Sequence, residues 1–460
     1  MTALAAVYTN GAGDAEGLVR VMLSAMEHRG RDVTFSLGCE EPGMAIGLAG
    51  NVKQQFLKSN RGTIALDGTF FKKSKKNPAH LALQESLKSF TSIASQPGAY
   101  ALINVRGKRL HAVRDPNGLK PLYYSHSDEL TAVASEMKAL WRIGLNHVNR
   151  ILPGQLYTVS TPRLTKKPLF SLPRPMVRRM SMEYASSKLG ALLTRSTRLI
   201  TNDVRRVAVA FSGGLDSAIT ALLAKQANLE VELISTGLAG SQELETVERS
   251  AHALDLPISI QTYGTDSLEE YIRRVLWLIE EPDLMKLSVA IPLHWAAKLA
   301  MRRGHSVMLC GQGSDELYGG YYRYARILDN EGPKALLTEL YRSVLNSPQV
   351  NYERDDKAVC PTGVELRTPF ANPEVIQFSF NIPIEFKVKR GNDLMRKWVL
   401  RETARKAGLP ESLLWRRKKA IQHGTGVENA IKRLAKTHQL TADAYLSKIN
   451  GTLLREVSMP

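Results

Sequence analysis

The tightest constraint on the fold lies between residues 207 and 226. Val207-Ala208-Val209-Ala210-Phe211 is a short unbroken apolar run, the mark of a strand buried on both faces. Ser212-Gly213-Gly214-Leu215-Asp216-Ser217 follows at once, and Ala218 to Gln226 carries helical spacing. Strand, glycine turn and helix in direct succession make half of a βαβ unit, and the grammar repeats downstream. Val231-Glu232-Leu233-Ile234-Ser235 reads as a strand, Glu243 to Leu254 as a helix, and Ser306-Val307-Met308-Leu309-Cys310 as another strand. Such alternation predicts an α/β fold with a parallel sheet wrapped by helices, mostly helical beyond about residue 320.

The turn itself has chemistry. Two adjacent glycines let the backbone close around an oxyanion, Ser212 and Ser217 add hydroxyl donors, and the helix start offers its N–H groups. A plain strand-to-helix turn with Ser and Asp caps would use the same residue types. Asp216 separates the two readings. A carboxylate in an anion cradle calls for a divalent cation between itself and the phosphates, so the residues imply a Mg2+–phosphate complex. The loop is not of the Walker kind, because the Lys-Ser/Thr ending is missing.

The first 160 residues use a different grammar. Thr63-Ile64-Ala65-Leu66, Ala99 to Val105 and Leu130 to Ala134 are short strand-like runs separated by Gly, Asn and Asp, with one helical stretch from Gly17 to Glu27. A Pro- and Lys/Arg-rich segment, Thr161 to Pro168 and on through Pro173-Arg174-Pro175, shows neither period and reads as a linker. The expected organisation is a first domain over 1–160, a linker over 161–182 and a second domain over 183–460.

Lys and Arg number 62 against 44 acids, a formal charge of +18, which favours anionic partners such as nucleotides or merely gives a basic surface. Three cysteines, Cys39, Cys310 and Cys360, without paired spacing exclude a disulfide framework or a zinc cage. No apolar run approaches the roughly 20 residues of a membrane span, and Met1 to Asn10 lacks the pattern of a secretion signal. A soluble, cytoplasmic chain with no membrane partner is expected.

Ser-Gly-Gly-Leu-Asp-Ser at 212–217 resembles the pyrophosphate-binding loop of the ATP-pyrophosphatase enzymes, in the spelling of their asparagine synthetase branch. Cys310-Gly311-Gln312-Gly313-Ser314-Asp315-Glu316 followed by Gly319-Gly320-Tyr321 is similar to that family's S-G-E-G-S-D-E…GGY block. Gly237 to Ser241, Gly363-Val364-Glu365-Leu366-Arg367-Thr368-Pro369-Phe370, Lys397 to Arg401 and Trp415-Arg416-Arg417-Lys418 resemble further family blocks, and the likeness spans most of 185–430. It implies ATP bound by Ala210, Ser212, Gly213, Gly214, Leu215, Asp216, Ser217, Thr236, Cys310 and Gly311, and Mg2+ held by Asp216 and Asp315. Lys418 is implied at the reacting phosphate and Gln312 near the acyl group; since Gln312 cannot serve as a base, either ammonia needs none, or another group such as Glu365 serves, or the substrate differs. The implied chemistry is a carboxylate activated as its adenylate, with pyrophosphate released, and then amidated by ammonia or an amine.

The first domain resembles the same family's glutaminase, an N-terminal-nucleophile sandwich of two sheets between helices. Glu27-His28-Arg29-Gly30, Arg114-Asp115-Pro116-Asn117-Gly118-Leu119-Lys120-Pro121-Leu122-Tyr123-Tyr124 and Ala134-Ser135-Glu136-Met137-Lys138-Ala139-Leu140 carry that likeness. Its functional positions depart. The family's nucleophilic cysteine after the initiator Met is Thr2 here, and its N-G-E reads Asp67-Gly68-Thr69. Thr2 would be a weak nucleophile beside a thiolate, so a retained domain without glutaminase activity is expected. Where the family has a glutamate that can take a proton, Gln312 cannot.

The leading expectation is asparagine synthetase-like ligation, with aspartate as the carboxylate by resemblance. Lactam or macrolactam formation with an intramolecular amine, as in β-lactam synthetases and lasso-peptide cyclases, stands beside it. A tRNA-modifying enzyme lacks any RNA-binding module here, so nucleic acid is not the expected partner. An inactive scaffold conflicts with the complete 212–217 loop, and a homodimer stays open.

Overall fold

The computed structural model describes residues 2–10, 13–30, 35–41, 43–50, 55–72, 78–84, 86–160, 163–240, 243–391, 395–416 and 424–458. The chain divides into two compact units, Met1–Ser171 with Lys448–Pro460, and Leu172–Ser447.

In the first unit two antiparallel sheets stack. One runs β10 (Asn149–Arg150), β8 (Tyr123–His126), β9 (Leu130–Ala134), β1 (Thr2–Thr9), β3 (Met44–Gly50) and β2 (Phe35–Glu41). The other runs β12 (Arg163–Pro168), β11 (Gln155–Ser160), β7 (Arg109–Arg114), β6 (Gly98–Arg106), β5 (Gly62–Phe70) and β4 (Phe56–Ser59). Alternation along each strand builds the layers. Leu4 and Ala6 face Ile46, Leu48, Ala101 and Ile103 between the sheets. Ala3, Ala5 and Val7 point the other way, onto Val19, Met22 and Leu23 of helix Ala15–Ser24. Ile64, Leu66 and Leu102 likewise meet Phe90 and Ile93 of helix Leu87–Ala94. The order of layers is helix, sheet, sheet, helix, the sandwich that the resemblance implies.

The structure corrects the linker reading at its start. Arg163–Pro168 is a strand, paired residue by residue with β11 from Gln155↔Pro168 to Ser160↔Arg163. It is an edge strand, exposed along most of its length, so no apolar alternation marks it, and lysines and a terminal proline are what edges tolerate.

The second unit is built on a parallel sheet in the order β15 (Ile258–Tyr263), β14 (Glu230–Leu238), β13 (Arg206–Ala210), β16 (Val307–Leu309), β17 (Glu365–Arg367). Ala208, Ile234 and Met308 pack against Ala297 and Ala300 of helix Leu284–Arg302. From β13 the sheet grows one way through β14 and β15 and the other way through β16 and β17. The strand order therefore reverses between β13 and β16, which opens a crevice beyond their carboxyl ends, the place where open α/β sheets hold ligands. Helix Leu215–Gln226 begins at Leu215 rather than Ala218, which puts Asp216 and Ser217 in its first turn. The later part is mostly helical as expected, except for β17, whose three residues are too few to show a period. Among the described residues no helix is long and apolar enough to cross a membrane.

One blocklike motif of the first unit turns out to be structural. Arg114, buried at the end of β7, donates from Nε to the carbonyl of Lys120 at 2.7 Å, from Nη1 to that of Ile151 at 2.8 Å and from Nη2 to that of Gly118 at 2.9 Å. Asp115 beside it accepts from the backbone N–H of Asn117 at 3.0 Å, Leu119 at 3.1 Å, Lys120 at 3.1 Å and Tyr100 at 3.4 Å. Burial pushes the Asp115 carboxyl up, and these donors with Arg114 pull against that shift. The pair thus supplies the hydrogen bonds that a turn buried between sheets cannot take from water. Asp115→Ala should lower the stability of this unit by about 3 kcal/mol, since it strands several buried N–H groups at once. Urea unfolding followed by tryptophan fluorescence, using Trp141, would read the fall; an unchanged midpoint would refute it.

Candidate active site

Ala210 ends β13 opposite Ile234 of β14, and Phe211 continues the ladder, its N–H donating to the Ile234 carbonyl at 2.8 Å. Gly213 then turns the chain at φ 66°, a left-handed conformation that glycine takes without strain. Gly214 caps the helix, and the Ser217 hydroxyl donates to the Gly214 carbonyl at 3.0 Å. Ser217 Oγ also lies 3.3 Å from the Ser212 N–H and 3.3 Å from its Oγ, so the two hydroxyls meet across the turn. The N–H groups of a helix's first turn have no intrahelical acceptor, which leaves those after Gly214 suited to an anion.

The second loop leaves β16, the strand next to β13. Cys310 donates its N–H to the Arg367 carbonyl of β17 at 3.0 Å. Its thiol is buried and pushed up to about 12, so it is a neutral packing group. Gly311 lies against the helix start: a Cβ there would sit 2.6 Å from Cβ of Asp216. Helix Ser314–Tyr318 then carries Asp315.

Asp216 and Asp315 come from loops after different strands, and they meet on one ammonium. Lys397 Nζ lies 2.6 Å from Asp216 Oδ1 and 2.6 Å from Asp315 Oδ1, and donates to Ser314 Oγ at 3.0 Å. The two carboxylate oxygens are therefore no further apart than twice that distance. Burial opposes the charge on Lys397, but Asp216 and Asp315 more than offset it and hold its pKa above the ordinary value. The surroundings are tight: a Cβ on Gly320 would fall 1.7 Å from Asp315 Oδ1 and 2.2 Å from Lys397 Cε. Two carboxylates facing a cation, with glycines clearing the space around them, are a donor set that suits Mg2+ shared with phosphate oxygens. Among the described residues no group of three or more His, Cys, Asp or Glu forms a metal cage, and a Mg2+ held jointly with a nucleotide needs none.

Other sequence-derived positions scatter. The Thr236 hydroxyl donates to the carbonyl of Pro292, at 2.9 Å, so it ties β14 to helix Leu284–Arg302. Gln312 follows Gly311, half-buried, and its carbonyl accepts from Thr368 Oγ1 at 2.7 Å. Glu365 is not brought to the two carboxylates. It opens β17 level with Val307, at the amino end of the sheet, and its carboxylate accepts from Arg367 Nη2 at 2.8 Å. Arg367 in turn grips Asp203 at 2.6 and 2.9 Å. Lys418 lies outside the described residues. Arg416, two positions before it, donates from Nη1 to the Gly213 carbonyl at 2.8 Å and to Ser250 Oγ at 3.1 Å. Lys397 and Arg416 are the site residues that sequence reasoning passed over. Both stand inside motifs quoted above, so the signal was present; which charge they would meet was not.

In the first unit Thr2 is 0% exposed, and its hydroxyl donates to Asp67 Oδ1 at 2.8 Å. Arg29 then links three partners: Asp67 Oδ2 at 3.0 Å, Glu136 Oε1 at 2.9 Å and the Thr2 carbonyl at 3.0 Å. Glu136 also contacts Lys138, and His28 at 2.9 Å. Burial opposes the Glu136 charge, but His28, Lys138 and Arg29 outweigh it and hold the carboxyl well below the usual range. Burial also lowers the pKa of His28, against the pull of Glu136. Two basic side chains, Arg29 and Lys138, thus lie against two acidic ones, Asp67 and Glu136.

The close approach of Gly311 to the helix start can be tested. Gly311→Ala should push Asp216 out of place and cut ATP-dependent turnover about 100-fold, the usual cost of a ~1 Å misplacement. Gly264→Ala, where an added Cβ meets nothing within 4 Å, serves as the control. Equal turnover in the two variants would refute the packing argument.

Comparison with known proteins fits this geometry. The asparagine synthase family model matches residues 188–347 and 328–449, and the glutamine amidotransferase domain model matches residues 64–142. A Methanocaldococcus jannaschii protein assigned as glutamine-hydrolyzing asparagine synthetase 1 is 33% identical over 74% of this chain and 71% of its own length. The glutamine-hydrolyzing asparagine synthetase 2 of Oryza sativa is 30% identical over 76% of this chain, and this chain spans only 60% of that relative's length. Solved structures overlap loosely. The glutamine phosphoribosylpyrophosphate amidotransferase of B. subtilis has a TM-score of 0.32 at 17% identity, over 53% of this chain and 70% of its own. NMN synthetase from Francisella tularensis has 0.30 at 12%, over 60% and 94%. The chain belongs to the asparagine synthase family, the ATP-dependent ligases that form carbon–nitrogen bonds.

Proposed function

We propose that the second unit joins a carboxylate to a nitrogen nucleophile by way of an acyl-adenylate. The observation that carries the reading is the meeting of Asp216 and Asp315 beside the 212–217 turn, at the strand-order reversal of a parallel sheet. The turn suits the β and γ phosphates. Asp216 and Asp315 would hold Mg2+, which would supply positive charge to the phosphate oxygens. A substrate carboxylate oxygen attacks the α-phosphorus, the bond to the β-phosphate oxygen breaks, and pyrophosphate leaves. The nitrogen lone pair then attacks the acyl carbon, the carbon–oxygen bond to AMP breaks, and the nitrogen gives up a proton. Lys418, by its motif, would meet the charge that builds on the α-phosphate. Aspartate is the carboxylate that the family resemblance supports.

Glutamine is not the nitrogen source in this reading, although the relatives are named as glutamine-hydrolyzing. The position of the nucleophile holds Thr2, sealed from solvent with its hydroxyl given to Asp67. Gln312 and this sealed centre favour a second reading, in which the substrate's own amine closes a lactam. Ammonium added from outside separates the two.

With Mg-ATP, aspartate and ammonium, the expected products are asparagine, AMP and pyrophosphate in equal amounts, read by mass spectrometry and a pyrophosphate assay. ADP with phosphate would overturn the adenylate. Glutamine in place of ammonium should give no more than the background rate. Release of glutamate matched to asparagine, and lost in Thr2→Ala, would show instead that Thr2 works as a nucleophile.

A further inference from the structure

Lys397 occupies the position that the proposed metal role assigns to a cation. An ammonium has three N–H donors and no acceptor. Here Asp216 Oδ1 and Ser314 Oγ accept from it at 2.6 and 3.0 Å, Asp315 Oδ1 lies 2.6 Å away as an ion pair, and the side chain is 4% exposed. The placement is built in by the backbone. Arg396 and Lys397 both take left-handed conformations, φ 47° and 56°, which side-chain-bearing residues seldom adopt, and Lys397 caps helix Trp398–Lys406. Arg396 is fastened by donating from Nε to the Gly320 carbonyl at 3.0 Å, in the loop that clears space for Asp315. The strained pair thus aims one amine at two carboxylates.

We infer that Lys397 stands in for the divalent cation in the nucleotide-free enzyme, so that metal enters this site with the nucleotide and not before it. A bare dication arriving first would compete with the ammonium for the same two oxygens and would face its charge at close range. A nucleotide changes the balance. Its polyphosphate brings several negative charges, to which the displaced ammonium can turn while the metal takes the carboxylates. Lys397 then acts as a gate on the order of binding. Without it two like charges would sit close together in a half-buried site and would bind a free metal ion readily.

The inference rests on the metal role of Asp216 and Asp315, and Mn2+ as the probe separates the two. Free Mn2+ is counted by electron paramagnetic resonance, with and without ATP, and thermal midpoints are recorded alongside. The unaltered protein should hold little Mn2+ alone and should take it up when ATP is present, beyond what ATP binds by itself. Lys397→Met should bind Mn2+ without nucleotide at least tenfold more tightly and gain thermal stability from it, and Asp216→Asn added to that variant should remove the gain. An affinity for Mn2+ alone that Lys397→Met leaves unchanged would overturn the gate while leaving the metal role intact. Failure of the protein to take up Mn2+ even with ATP would overturn both. The count on the unaltered protein decides the question if the variant does not fold: nucleotide-free Mn2+ bound as tightly as with ATP would refute the inference.

Discussion

Two carboxylates held within a few ångströms of one another repel, and partial burial makes that repulsion costly. Lys397 removes it, and the local architecture of the second unit's crevice follows from the need to place this one ammonium. Asp216 arrives on the first turn of the helix after β13, and Asp315 on a short helix after β16. The strands are neighbours, so the side chains converge without a long reach. Gly311 and Gly320 leave the space, because a methyl group at either would strike Asp216, or Asp315 and Lys397. The sheet supplies position, and the charge triad supplies the reason that these positions take small residues.

The sequence carried the second unit well where function is local. Ser212 to Ser217 and Gly311 to Asp315 are contiguous blocks between a strand and a helix, so their place could be read directly. What escaped was set by distant partners. Lys397 is 181 residues from Asp216, and nothing in its own surroundings names the carboxylates it meets. Glu365 is a candidate base because Gln312 cannot take a proton, yet β17 places it at the far end of the sheet, paired with Arg367. The edge strand β12 was invisible for a different reason. An exposed strand has no apolar face, and its lysines and proline read as a linker. Three-residue β17 is too short for any period to appear.

In the first unit the residues that carry the family likeness also hold the fold together. The blocks around Arg29, Arg114 and Glu136 are intact, and the structure gives each a structural task. Arg114 and Asp115 close a buried turn, while Arg29 and Glu136 knit β1, β5 and the start of the helix after β9 through opposite charges. Removing one member of such a network leaves a buried charge without its partner, at a cost of about 3–5 kcal/mol. Residues of this kind would be retained for stability whatever becomes of the nucleophile.

The bond from Arg416 to the Gly213 carbonyl has a thermodynamic consequence. Glycine is the most conformationally free residue in an unfolded or mobile turn, and fixing its backbone normally consumes entropy at the moment a ligand arrives. Here the guanidinium already holds that peptide, and Ser250 on helix Glu243–Leu254 holds the guanidinium. The ordering has been completed during folding. Phosphate capture as proposed for this turn would therefore resemble the docking of rigid bodies, with a small entropic penalty and a heat signature set by charge and desolvation rather than by the freezing of the chain.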